Sequence, residues 1–266
     1  MSSPTSIPIH MPTDIMEISI TEIILKGKGS TLETEFQTPI YIKEGEKAEI
    51  GLKSFSFYNS IPNITQAVNN CIQLAVPGSN WQTVSLETGS YELSSVSREL
   101  VEWIKLKFPN LKDVDENFKL EGNEATSKAE FTFKEDYGFN MDTPHSIAKV
   151  LGFGRTRKER GPGKYRGNSI VNITNISSIS FNCNISEPNY INNMHTPFIF
   201  NCAIDVSNGY KFSRELSKIT YKLVRPNQIS SLRLWITDQE GCLVNLRNEQ
   251  VTVTLSLRIH HGPRSS

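Results

Sequence analysis

The chain carries no excess of charge of either sign: 28 Lys and Arg stand against 28 Asp and Glu in 266 residues. A molecule-wide basic footprint for nucleic acid is thereby excluded, and only a local one is open. Long apolar runs are lacking as well, and none approaches the ~20 residues of a membrane-spanning helix. The opening MSSPTSIPIHMPTD has neither a basic stretch nor an apolar one, so no secretory signal is expected. There are four cysteines, Cys71, Cys183, Cys202 and Cys242, and no Cys-x-x-Cys pair. Without a secretory signal, reduced thiols are expected rather than disulfides. Cys183 alternates with Ile179, Phe181 and Ile185 and reads as a small buried hydrophobe on a strand.

Reactive chemistry is equally scarce. No Gly-x-Ser-x-Gly elbow, P-loop or dinucleotide fingerprint occurs. The five histidines are His10, His145, His195, His260 and His261. Neighbours such as His260 and His261 point to opposite faces of a strand, so they cannot clamp one metal from one side. No catalytic residue, cofactor or metal is assigned. Four Asn-Ile-Ser/Thr sequons begin at Asn63, Asn172, Asn175 and Asn184, and coincidence in an Asn-, Ile- and Ser-rich chain explains them.

What is present is alternation. Met16, Ile18 and Ile20 alternate with Glu17, Ser19 and Thr21, which is the period of a strand. In AEIGLKSFSFY (48–58), Ile50 and Leu52 share one face while Phe55 and Phe57 take the other, so a bulge or burial on both sides is expected. CIQLAV and WQTVSLE flank Pro-Gly-Ser-Asn and read as a hairpin. FKLE and KAEFTFK read as a strand pair. From 169 onward almost everything reads as β: 169–173, 178–185, 197–205, 219–224, then Leu232, Leu234 and Ile236, and finally the long run Val251 to Ile259. About ten strands are expected.

Helices are few. Leu93, Val96, Leu100, Val101 and Ile104 form one apolar stripe, with Ser94 or Ser95 as cap and Phe108-Pro109 as stop. A short helix is expected at about 143–151, capped by Thr143 and ended by Gly152. Strands do not alternate with helices, which argues against a doubly wound parallel sheet. The sharpest local feature is GRTRKERGPGKYRG (154–167). Its Arg155, Arg157, Lys158, Arg160, Lys164 and Arg166 are expected on a loop, where they could bind an anion or a neighbouring subunit. The plainer reading is a solvated loop that balances acidic stretches such as 113–124.

The order of the pieces carries a resemblance. AEIGLKSFSFYNSIPNI is followed by TGSYELSSVSRELVEWI, by KVLGF, by SISFNCNISEPNYINN, by ITYKLVRPNQISSLRLWITDQEGCLVNL and by EQVTVTLSLR. Over about residues 45–258 the chain resembles the penton-type minor capsid proteins of Polinton/Maverick elements, adintoviruses and related virophages. The resemblance implies a mainly β fold, a single jelly-roll antiparallel sandwich with an inserted surface helix at about 92–107 and a short one at about 143–151. Residues 1–14, whose first dozen hold three prolines and no period, read as a flexible arm, with 15–260 as the capsid domain and 261–266 as a tail. The resemblance further implies a virion location, assembly inside a host cell, a homopentamer at the vertices of an icosahedral capsid and a double-jelly-roll major capsid protein as partner. A weak contact with packaged nucleic acid could run through the basic segment. The competing readings are a jelly-roll major capsid protein, a receptor- or carbohydrate-binding β-sandwich, an enzyme on a β scaffold, and a domesticated host gene.

Overall fold

The computed structural model describes residues 17–173, 176–191 and 194–262. The expected arm and the end of the tail lie outside these residues. The chain opens with β1 (Ile18–Lys28), β2 (Thr31–Tyr41) and β3 (Lys47–Tyr58). Next come β4 (Cys71–Ala75), β5 (Gln82–Ser85), α1 (Leu93–Lys107), α2 (Val114–Asn117), β6 (Phe118–Asn123), β7 (Lys128–Phe133), β8 (Gly138–Asn140), α3 (Ala148–Leu151), β9 (Lys158–Arg160) and β10 (Gly163–Arg166). It closes with β11 (Ser178–Cys183), β12 (Asn189–Ile191), β13 (Met194–Thr196), β14 (Phe198–Ala203), β15 (Lys211–Glu215), β16 (Lys222–Leu223), β17 (Gln228–Asp238) and β18 (Gln250–His260).

Eight of these strands build a sandwich of two antiparallel sheets. One runs β1-β18-β3-β15, with β16 also on β3; the other runs β14-β11-β17-β2. Numbered one to eight along the chain, the two sheets read 1-8-3-6 and 5-4-7-2. Every pair is antiparallel, and the order is that of a single jelly roll. The two inner faces meet through Phe55, which lies 4.8 Å from Phe181 on the other sheet and 5.0 Å from Phe212. Leu234, Ile236, Val251, Val253 and Leu255 complete this core at no measurable exposure, as the alternation of their segments requires.

The face switch in β3 is a bulge. Between Thr254 and Leu255 of β18 the register slips, so that Ser54 and Leu52 are partners and Lys53 is extra. Ile50, Leu52, Phe55 and Phe57 therefore all enter one core. Next to the slip, a Cβ on Gly51 would lie 2.4 Å from Ile219 and 2.8 Å from the Thr220 carbonyl, so only glycine lets the 216–221 segment cross this strand.

The connection from β3 to β11 holds a second core of its own. Sheets β5-β4-β8-β9 and β10-β7-β6 enclose Phe131, Phe139 and Phe153, with Phe131 to Phe139 at 4.5 Å and Phe139 to Phe153 at 5.0 Å. The apolar stripe of α1 forms as expected, and Val96, Leu100, Val101 and Ile104 are buried against this lobe. The helix thus packs on a sheet of the insertion, beside β6.

Several local readings need correction. Eighteen strands occur among the described residues, against about ten expected. Most of the surplus is strands of two to four residues, too short to show a period. Neither Ser94 nor Ser95 caps α1; Glu92 occupies that position without a side-chain bond. The helix expected at 143–151 shrinks to its last turn. Cys71 on β4 takes the backbone of this segment instead: its N–H donates to His145 O at 2.8 Å and its carbonyl accepts from Ile147 N at 2.9 Å. Gly152 does end the turn, with φ 74°. Residues 169–173 form no strand, and 219–224 narrows to β16.

Candidate functional site

The basic segment is built from both small sheets. β9 pairs with β8 and β10 with β7, so the predicted loop is a strand, a Gly161-Pro162 turn and a second strand. The Asn168 side chain closes it, accepting the Gly154 N–H at 2.9 Å. Tyr165 faces inward, 5.5 Å from Phe133 and 6.0 Å from Phe139, and donates its hydroxyl to Gly161 O at 3.0 Å. It is half-buried against the lobe's core and offers no open platform for a base.

Most of the cations have partners. Arg157 meets Glu159 at 2.6 Å. Arg160 grips Asp136 with both arms at 2.8 and 3.0 Å, which holds that carboxyl below its usual range. Arg166 and Lys164 share Glu130 at 3.1 and 3.6 Å. Lys158 lies over the Trp81 ring at 4.9 Å. Arg155 has no ion pair among the described residues, is exposed, and borders a cleft of about 1300 Å³ between the insertion and the β17–β18 connection. Ile61, Phe153, Asp238 and Leu243 also line it. Exposed pairs of this kind add little to stability. Their effect is to reduce the positive field that six cations in fourteen residues suggest.

A charged cluster that the sequence reading did not single out lies at the other end of the sandwich. Glu49 on β3 accepts Arg258 at 2.6 Å, Lys47 at 3.0 Å and His260 at 3.0 Å. Burial pushes its carboxyl up, but the bonds from Lys47, His260 and Arg258 outweigh it and hold the group at about 2. The Arg258 guanidinium lies 3.7 Å from the Tyr221 ring centre. Beside it His261 meets Glu46 at 2.8 Å and Ser19 at 3.1 Å. Cross-strand register brings these groups together from residues more than two hundred apart, and no local motif announces it.

Among the described residues no group of three or more His, Cys, Asp or Glu is placed to hold a metal, and no helix is long and apolar enough to cross a membrane. All four cysteines are free thiols. Burial pushes Cys183 and Cys202 up to about 11. A thiol reagent at pH 8 should label exposed Cys242 first and spare Cys183 and Cys202 until the chain unfolds. Early labelling of Cys183, read by peptide mapping, would contradict the buried placement. Asn63 of the first sequon is buried and donates to Tyr91 O at 2.7 Å and Ile173 O at 3.0 Å, so it is closed to a glycan.

These features define an eight-stranded jelly roll with a separately cored lobe inserted between its third and fourth strands. No family model matches the chain, and no curated protein matches it. Among solved structures it is similar to the crystal structure of the mavirus penton protein, with 12% identity over 91% of this chain and 99% of that one and a TM-score of 0.48. The jelly-roll assignment rests on the strand order described above and not on this likeness.

Proposed function

We propose that the chain is a structural subunit of an icosahedral shell, a penton-type capsid protein acting by assembly rather than turnover. The strand order 1-8-3-6 and 5-4-7-2, found in a chain whose ordered motifs resemble penton proteins, carries this reading. A jelly roll presents two rigid flanks, and identical subunits meeting flank to flank close into a ring when the rotation is right. Each such contact has to bury on the order of 1,000 Å² or more. The proposed partners are four further copies and a double-jelly-roll major capsid protein, in a virion.

The sandwich has two ends, and they differ. The insertion shares one end with the β17–β18 connection, where Ser60 Oγ donates to Leu246 O at 2.8 Å. The 42–46 turn sits at the other, where Ile42 N donates to Asn227 O at 2.8 Å. Of the basic segment, Arg155, Lys158 and the exposed Lys164 and Arg166 are the charges available to a neighbour or to packaged nucleic acid.

Negative-stain imaging and light scattering of the purified protein test the reading, with a five-membered ring expected. A strict monomer that never joins particles with a capsid partner would refute it. Neutralising Arg155, Lys158, Lys164 and Arg166 together is expected to lower particle yield or genome content. Unchanged particles with full genome content would remove the basic segment from the assembly.

A further inference from the structure

Soluble sheets protect their edges with charge, proline, bulges or shortness. Three of the four sandwich edges here combine at least two of these devices. β2 carries Glu33, Glu35 and Pro39 and has a register slip against β17. β15 is five residues long and carries Lys211, Arg214 and Glu215. β14 is six residues long and slips against β11. β1 does not combine two of them. It is outermost in its sheet and pairs with β18 over eleven residues without a slip. Its inward side chains, Ile23 and Leu25, are buried, yet Ile18, Ile20 and Ile24 stand on the outer face at 47%, 64% and 58% exposure.

The charges on this outer face are arranged symmetrically about Ile24. Glu22 lies two residues before it, and Lys26 and Lys28 follow at two and four. Lys26 and Lys28 are exposed and have no ion pair among the described residues, while Glu22 uses its Oε1 on Lys53. A second β1 laid antiparallel beside the first, with Ile24 opposite Ile24, sets Glu22 against Lys26 twice and Ile20 against the stem of Lys28 twice. Sliding by two residues one way sets Glu22 against Ile24, and the other way keeps a charge match, Glu22 against Lys28, but faces Ile24 with Lys26; sliding by four sets Glu22 against Glu22 or Lys26 against Lys26, so only the first register pairs both the charges and the two isoleucines.

We propose that β1 is a self-complementary edge that pairs antiparallel with β1 of a second copy of this chain, with Ile24 on the two-fold axis. The contact joins the two sheets edge to edge, and backbone groups unused by β18 form the ladder. It is a two-fold contact and is therefore separate from the ring contacts proposed above. An edge contact is smaller than a standard interface of ~1,600 Å², so pairing should be weak and should depend on concentration.

The experiment uses the full chain in a Cys242→Ser background. Ile24→Cys is expected to form a 24–24 disulfide on mild oxidation, because directly opposed residues place their Cβ atoms about 4.5–5.5 Å apart. Ile20→Cys, which faces Lys28 of the other copy, should not link to itself. In sedimentation, Glu22→Lys or Lys26→Glu alone should weaken pairing by about tenfold, and the two together should restore it, since opposite charges facing each other stabilise and like charges repel. Circular dichroism checks that each variant is folded, and all four positions are exposed. A folded protein with no 24–24 link, or with pairing indifferent to both charge reversals, overturns the proposal. A five-membered ring that persists in Ile24→Lys while two-fold pairing is lost supports it and leaves the penton reading standing. If Ile24→Lys abolishes the ring itself, β1 is a ring contact and the two-fold assignment falls.

Discussion

Phe139→Ala is expected to destabilise the inserted lobe by about 3–5 kcal/mol while leaving the sandwich standing. Phe139 has no measurable exposure, and its ring lies within 6.3 Å of those of Phe131, Phe133, Phe153 and Tyr165. Truncation removes the side chain that joins the two small sheets and leaves a cavity that aromatic neighbours cannot easily collapse into. The effect should stay local because the two cores share no buried residue. Tryptophans report on each half: Trp81 and Trp103 belong to the lobe and Trp235 to the sandwich. In a Trp235→Phe background, fluorescence should show an early transition of the lobe. The Trp81→Phe, Trp103→Phe background should show Trp235 melting near its original temperature. Coincident early transitions in both backgrounds would mean that the cores unfold as one unit.

Glu49→Gln is expected to cost about 2–3 kcal/mol at pH 7. The carboxyl titrates at about 2 in the fold against 4.5 when unpaired. Because the folded value is the lower one, the contribution is complete above about pH 4.5 and fades as the pH falls toward 2. The difference between wild type and variant should therefore be largest near neutrality and vanish by about pH 2. Urea midpoints measured across that range check it. A difference that stays constant with pH would show that the loss comes from packing and not from the charge. Arg258 makes the point sharper, since removing its carboxylate leaves a guanidinium half-buried against Tyr221 without a counter-charge.

Much of the sandwich was legible from local alternation. The Val251–Leu257 run, the Leu232–Ile236 run and the face switch in 48–58 each correspond to a strand or a bulge, because side-chain period and burial are tied on a half-buried sheet. The α1 stripe was equally readable, since its spacing fits only one helical face. The basic segment was misread as a loop. Its strands are three and four residues long, and they exist because β7 and β8 offer free edges to them. The short helix was misread for a related reason: the Thr143-Pro144 signal is sound locally, but β4 claims the backbone of Ser146.

The isoleucines of β1 mark the boundary most clearly. Alternation set Ile18 and Ile20 apart from Ser19 and Thr21 but did not say which row faces inward. Ile23 and Leu25 decided that, by occupying the core side further along the same strand. The amino-acid order by itself determined where strands run, where the one long helix lies, and that no charge, metal or nucleophile motif dominates. Only the tertiary structure decided which strand sits at a long, unbulged edge, which cations are neutralised, and that Glu49 gathers Lys47, Arg258 and His260. Those outcomes depend on distances between segments far apart in the chain, and local pattern holds no record of such distances.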